Sequence, residues 1–155
     1  MNNLRIKILK NGFGLPLPKY ESEGAAGMDL LAAIDAIKKI KILPGRAEMI
    51  PTGIAVALPL GFEAQIRPRS GLAAKNGITI LNSPGTIDSD YRGEVSAMLI
   101  NHSKINFEIE RGMRIAQMVI TPVVQFNLIE TQDLDKTERG GGGFGSTGLR
   151  ENDKE

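Results

Sequence analysis

Cysteine and tryptophan are missing altogether, and histidine occurs once, at His102. Without thiols the chain can form no disulfide, no thiolate nucleophile and none of the usual Cys/His zinc cages. Any chemistry must then rest on carboxylates. Charge of one sign is also lacking: 19 Lys and Arg face 18 Asp and Glu, a formal net charge of +1 with both signs interspersed. That leaves no broad electrostatic footprint for duplex nucleic acid or an anionic membrane, so the expected partner is small or local. No apolar run is long enough to span a bilayer. The first residues, MNNLRIKILKNG, alternate charged and apolar positions and lack the apolar stretch and small-residue cleavage site of a secretory signal. The expected setting is the cytoplasm.

The 155 residues hold enough apolar material, 41%, to fill the core of one domain. Short apolar or alternating runs recur between Gly, Pro and Asn: LRIKIL, IKKIKILPG, MIPTGIAVALPLG, FEAQIRP, ITILNSPG, EVSAMLINHS, INFEIERG and RIAQMVITPVVQFNLIE. That spacing predicts many short strands in a sandwich or barrel, an all-β fold. Two segments resist it. DLLAAIDAIKK at 29–39 has good helical propensity but is flanked by strand-like runs and has no clear helical stop, so it is read as non-helical. SGLAAKNG at 70–77 reads as a short helix closed by glycine. The β body is expected over 1–133, and a C-terminal arm over 134–155 carries the one low-complexity stretch, RGGGGFGSTG at 139–148. Four consecutive glycines lose much conformational entropy on ordering, so this arm needs an outside contact to order it and reads as a lid.

Four internal stretches combine turn residues with polar groups in a way that core packing does not require: AGMDL at 26–30, RPRSGLA at 67–73, NSPGTIDSDYRGE at 82–94 and RGMRIAQM at 111–118. Asn82, Pro84 and Gly85 predict a tight hairpin-like loop whose backbone groups could read a ligand's edge. Asp88, Asp90 and Glu94 follow, beside Tyr91 and Arg92; the plain alternative is a solvated turn whose acids pair with Arg92. RPRSGLA offers two guanidiniums, a hydroxyl and backbone N–H groups at a helix start, which suits phosphate, or merely a Ser70 N-cap with surface arginines. Asp29 alone is an ordinary turn residue, and Gln117 could be a strand residue facing water. The arm alone could be an RGG-like tail touching single-stranded nucleic acid.

Taken together and in order, AGMDL, PRSGLA, NSPGTIDSDYRGE, RGMRIAQM and RGGGGFGSTG resemble the five motifs of the trimeric deoxyuridine triphosphatase (dUTPase) family. The resemblance extends from Ala26 to Gly148. It implies a jelly-roll-like β-barrel or sandwich with one short helix and a flexible Gly-rich arm. It also implies a homotrimer with shared active sites, in which one subunit's arm closes a site made mainly by the other two. The implied reaction is hydrolysis of dUTP to dUMP and pyrophosphate by water attack on the α-phosphorus, which limits uracil incorporation into DNA and supplies dUMP for thymidylate synthesis.

By the same resemblance Asp88 matches the general base. Ser70 and Gly71, with Arg69 close by, match phosphate-binding positions; Asn82, Gly85, Thr86, Ile87 and Met98 fall on positions around the nucleoside. Main-chain groups of the loop around Asn82 would pair with uracil and reject cytosine, while Tyr91 would lie against the sugar and refuse a ribose 2′-hydroxyl. From the arm, Arg139 would clamp the γ-phosphate, Phe144 would stack on uracil, and Gly145, Ser146 and Thr147 would add backbone or hydroxyl donors. Mg²⁺ would be chelated by the phosphates and waters, with no direct protein ligand, Asp29 and Gln117 holding those waters or nearby phosphate oxygens. Stable nucleic-acid binding and membrane association are not implied.

Departures from the family pattern are mild: Thr86 stands where an aliphatic residue is common, and the first motif opens GAAG rather than SAG. His102, in NHSK outside every motif, reads as a surface or structural residue in a turn. Two rivals remain. A dCTP deaminase shares the implied fold, but IDSDYRGE and the complete glycine arm resemble the triphosphatase pattern. A non-catalytic scaffold with a nucleic-acid tail would have no need for Asp29, Ser70, Asp88, Gln117 and Arg139 together.

Overall fold

The computed structural model describes residues 3–143. The chain divides into two units, Met1–Val124 and Gln125–Glu155. The first unit is built from short strands: β1 (Arg5–Ile8), β2 (Met28–Leu31), β3 (Ile40–Ile42), β4 (Ala47–Pro51), β5 (Ile54–Ala57), β6 (Phe62–Arg67), β7 (Ile78–Ile80), β8 (Gly85–Ile87), β9 (Ser96–Asn101), β10 (Phe107–Ile109) and β11 (Arg114–Pro122). One α-helix, α1 (Ser70–Asn76), and one 3-10 turn, Lys10–Gly12, complete it. The strands pair antiparallel into small sheets of order β1-β5, β3-β10, β2-β11-β6-β8 and β4-β9-β7. No helix among the described residues is long and apolar enough to cross a membrane.

Period-two alternation decides which way each strand faces. In β6, Ala64 and Ile66 point inward while Glu63, Gln65 and Arg67 stay half-buried on the other face; in β9, Ala97, Leu99 and Asn101 point inward. Leu30, Ile42, Ile50, Ile66, Ile78, Leu99, Ile109, Ile115 and Met118 make one aliphatic core drawn from all the larger sheets. The segment at 29–39 is not helical, as expected. Its backbone is satisfied from two sides, Ala32 N–H donating to the Met113 carbonyl at 2.9 Å and Ala33 N–H to the Pro51 carbonyl at 2.8 Å. Leu30, Ala32, Ala33 and Ile34 are all buried, so the apolar run that raised its helical propensity is strand β2, buried at Leu30 and half-buried at Leu31, with a buried exit.

The structure departs from three local expectations. The chain on either side of NSPGTID does not form a hairpin: β7 pairs with β9 and β8 with β6, so the segment at 81–84 crosses between two sheets. Helix α1 has Arg69, not Ser70, at its N-cap, with no side-chain capping bond. Its C-terminus is closed as expected by Gly77 in the left-handed region, φ +65°, where a side chain would be strained and would press on Ser103. The last expected strand stops at Pro122, which is paired with Phe62, the first residue of β6; beyond it the Val123 N–H still donates to the Gly61 carbonyl at 2.8 Å, but the ladder goes no further. In the second unit, Gly140 N–H donates to the Thr137 carbonyl and Gly142 N–H to that of Arg139, each at 3.1 Å, forming successive tight turns.

Candidate active site

Edge strand β8 and the outer face of the β4-β9-β7 sheet enclose an open cleft of about 290 Å³. Asn82, Gly85, Thr86, Ile87, Asp88, Tyr91 and Met98 all line it, so the structure brings together every residue expected there from the third motif and β9. Met49 and Met98, cross-strand partners, and Ile66 and Ile80 give it an apolar wall. Gly85 is buried because the chain passes close: a β-carbon there would lie 3.2 Å from Asn82 Nδ2 and 3.4 Å from Ile66. Asp88 is exposed at the end of β8 and makes no side-chain hydrogen bond among the described residues. Its carboxylate is thus open to solvent at the edge of the apolar wall.

The loop after Asp88 is internally tied. Tyr91 N–H donates to the Asp88 carbonyl at 3.2 Å, and the Tyr91 hydroxyl donates to the Glu94 carbonyl at 3.1 Å. Arg92 does not neutralise the neighbouring acids: its Nη1 donates to the carbonyls of Ser89 and Tyr91, and no ion pair involves it among the described residues. The plain alternative of an acid-pairing surface turn therefore does not describe 88–94.

A second group sits where β2, β11 and β6 run side by side. Gln117 is the register partner of both Asp29 and Arg67, so three strands bring these residues into one row. Asp29, in a strand rather than a turn, is held by two guanidiniums: Arg69 Nε at 2.9 Å and Arg114 Nε at 3.5 Å. Gln117 is half-buried rather than fully solvent-facing; its Nε2 donates to the Pro68 carbonyl at 3.0 Å, and Gly27 makes room for it, since a β-carbon there would lie 2.5 Å from its Oε1. Ser70 and Gly71, exposed at the start of α1, follow directly, with open space over Gly71. Arg114 was not singled out from sequence, although it lies within RGMRIAQM.

No side-chain hydrogen bond or ion pair among the described residues joins this second group to the cleft; the two are linked through β6, whose Ile66 lines the cleft beside Arg67. His102 is exposed in the turn after β9, its N–H donating to the Gly77 carbonyl at 2.8 Å. In the second unit Arg139 is exposed and its Nε donates to the Gly142 carbonyl at 2.9 Å. Phe144, Gly145, Ser146 and Thr147 lie outside the described residues.

The all-β body thus carries a cleft edged by carboxylates and, beside it, a cluster of arginines around Asp29. The profile of the dUTPase family matches residues 14–148. The deoxyuridine 5′-triphosphate nucleotidohydrolases of Rhizobium johnstonii and Rhizobium rhizogenes are each 60% identical over 141 residues, 91% of this chain and 90% of theirs. Among solved structures, the Staphylococcus bacteriophage 80alpha dUTPase with dUpNHpp superposes with a TM-score of 0.84 at 27% identity, covering 96% of this chain and 100% of that one. The phage phi11 dUTPase, described with a structural Mg(II) ion, shares the fold at a TM-score of 0.74 and 23% identity, over 85% of this chain and 98% of that one. The chain belongs to the dUTPase family, and its activity is the hydrolysis of dUTP to dUMP.

Proposed function

We propose that this site hydrolyses dUTP by water attack on the α-phosphorus, with Asp88 as the general base. The observation that carries the reading is the cleft in which Asp88 lies at the rim of a pocket formed by Asn82, Gly85, Tyr91 and Met98. A base within reach of the attacking water contributes typically ~10²–10⁴ in rate. Uracil enters against Gly85, where backbone groups left by the crossing segment at 81–84 pair with its edge. Cytosine reverses the donor and acceptor at its 4-position, and a site built on hydrogen bonds rejects such a mismatch by about 10⁴ or more. Tyr91 lies against the sugar and disfavours a ribose.

The phosphates belong at the second group, with Ser70, Gly71 and the Arg69 guanidinium. Within one chain the two groups share strand β6 but no side-chain hydrogen bond or ion pair among the described residues, which suits a homotrimer in which each site draws the cleft from one subunit and the phosphate cluster from another. Arg139, Phe144, Gly145, Ser146 and Thr147 of the arm then close over the bound nucleotide, whose contacts offset the entropy of ordering the glycines. Phe144 stacks on uracil, an interaction worth about 1–3 kcal/mol.

The donor set suits Mg²⁺ bound through substrate. No group of three or more His, Asp or Glu able to cage a metal occurs among the described residues. Asp29 is already committed to two arginines. Asp29 and Gln117 would hold the waters of a cation that sheds water reluctantly and binds with the substrate's phosphates. When bound, it neutralises charge on the triphosphate and the leaving pyrophosphate. We assign the reaction to the cytoplasm, where it limits uracil incorporation into DNA and supplies dUMP.

The test is pyrophosphate release with Mg²⁺ from dUTP, dCTP, dTTP and UTP offered separately, beside Asp88→Asn. Release from dUTP alone, reduced at least a hundredfold in the variant, is expected. An Asp88→Asn rate within threefold of the parent would remove Asp88 as base, and ammonia from dCTP would move the chain to the deaminase reaction. Light scattering tests the assembly: a monomer that turned over dUTP would overturn the shared site.

A further inference from the structure

Three segments distant in sequence meet at one asparagine: the turn Lys10–Gly12, the turn at 51–53 and the loop at 88–95. Gly12 and Gly53 pack backbone to backbone, so closely that a β-carbon on Gly12 would lie 2.2 Å from the Gly53 carbonyl oxygen. Gly53 also has φ +72°, which a side chain would strain. This approach, with Leu9 N–H donating to the Gly53 carbonyl at 2.8 Å, sets the Asn11 side chain beside Glu94. Asn11 Nδ2 donates to Glu94 Oε1 at 2.7 Å and to the Ala33 carbonyl at 3.3 Å. The Gly53 N–H donates to the same Oε1 at 2.7 Å.

On its other side the Asn11 carbonyl accepts from Arg111 Nη1 at 2.8 Å, and Arg111 is itself fixed by the carbonyls of Ile34 and Phe13, each at 2.8 Å. The result is a polar chain, Arg111 to Asn11 to Glu94, with a guanidinium at one end and a carboxylate at the other. Bonds to ionised groups are shorter and about twice as strong as neutral ones. Glu94 is also where the cleft loop is tied, since the Tyr91 hydroxyl donates to its carbonyl.

We infer that Asn11 and Glu94 are positioning residues for the hydrolysis: the Arg111–Asn11–Glu94 chain holds the 88–94 loop, and with it Asp88 and Tyr91, at the cleft. The inference rests on the assignment of Asp88 as base. Gly85 at the uracil end is held independently, through the pairing of β8 with β6. Breaking the chain should therefore reduce turnover more than nucleotide binding, because a displacement near 1 Å at a reacting group can cost about 10²-fold in rate.

The full-length chain carries the test. It has no tryptophan and only two tyrosines, so a Tyr20→Phe parent leaves Tyr91 as the sole tyrosine emitter. In that background, Asn11→Ala is compared by three readouts: kcat for dUTP, titration with the non-hydrolysable α,β-imido analogue of dUTP to count competent sites, and acrylamide quenching of Tyr91 emission without nucleotide. Expected is a kcat per site lowered about tenfold, an analogue Kd within about threefold, and increased quenching. Glu94→Gln keeps the shape and an acceptor oxygen but not the charge, so about a threefold loss is expected; it decides the matter should Asn11→Ala fail to fold. A merely structural role would lower the melting temperature and the number of competent sites while kcat per site and quenching stayed at the parent's values, and that result overturns the inference. Increased quenching with unchanged kcat per site overturns it differently, by showing that the loop is held but that Asp88 is not the base.

Discussion

Replacing Gly93 by alanine should separate the geometry of the cleft from the stability of the fold. A β-carbon on Gly93 would lie 2.3 Å from the Tyr91 hydroxyl oxygen and 2.5 Å from its Cζ, where ordinary contact begins at 3.4 Å. The ring must therefore retreat by about 1 Å, a distance that near reacting groups costs up to about 10²-fold. Tyr91 is 43% exposed, so it can swing outward. What it forfeits is the hydroxyl bond to the Glu94 carbonyl, about 0.5–1.5 kcal/mol net. Against this, exchanging glycine for alanine reduces the entropy of the unfolded chain by roughly 0.4–1 kcal/mol in the variant's favour. The two nearly cancel, and the melting temperature should move by no more than about 2–4 °C. Activity should not be spared: kcat/KM for dUTP is expected to fall about 10- to 100-fold, and the preference for dUTP over UTP to narrow, because the ring no longer lies against the sugar. Initial rates of pyrophosphate release for both nucleotides, beside a thermal melt, test this. A kcat/KM within twofold of the parent for both would refute the reasoning, since the displaced ring would then have no part in catalysis or selection.

Gly27→Ala should act on the other group of residues. Its β-carbon would displace the Gln117 amide from the Pro68 carbonyl, and the Mg²⁺ concentration giving half-maximal rate should rise about tenfold, as read by metal titration of turnover. Leu99, fully buried in β9, tests the core: Leu99→Ala should destabilise by about 2–5 kcal/mol in a denaturant melt, and a loss below about 1 kcal/mol would mean the cavity collapses. Lys39 bonds Glu110 at 2.6 Å and lies 3.5 Å from Glu108; the hydrogen bond and charge of Glu110, then Glu108, raise its pKa above 10.5. A raised folded-state pKa means any stabilisation is fully present below the unfolded value and is lost as pH climbs through the folded one. The melting difference between the parent and Lys39→Ala should thus be small, constant from about pH 7 to 9, and vanish above the folded pKa.

Much of this protein was legible before folding because its signals are local. Period-two alternation in FEAQIR and SAMLIN, punctuated by glycine and proline, is a property of neighbouring residues, and it gives short strands whatever they pair with. The stop at Gly77 is local for the same reason, since glycine tolerates the left-handed turn that ends α1. The motif residues identified the family because their types and order reside in the chain itself. Pairing is a different matter: NSPGTID has the turn chemistry of a hairpin, yet its flanking strands belong to different sheets, because β9 and β6 compete successfully for β7 and β8. The site's supporting bonds were equally hidden. Asn11 and Glu94 are 83 residues apart, and nothing in KNG or YRGE announces the other; the bond exists only because two glycines let two turns touch. Sequence by itself determined the strand content, the helix stop, the family and the kinds of group available for chemistry. Tertiary structure alone decided which of those groups face one another, since antiparallel register and close backbone approach are set by packing between distant segments.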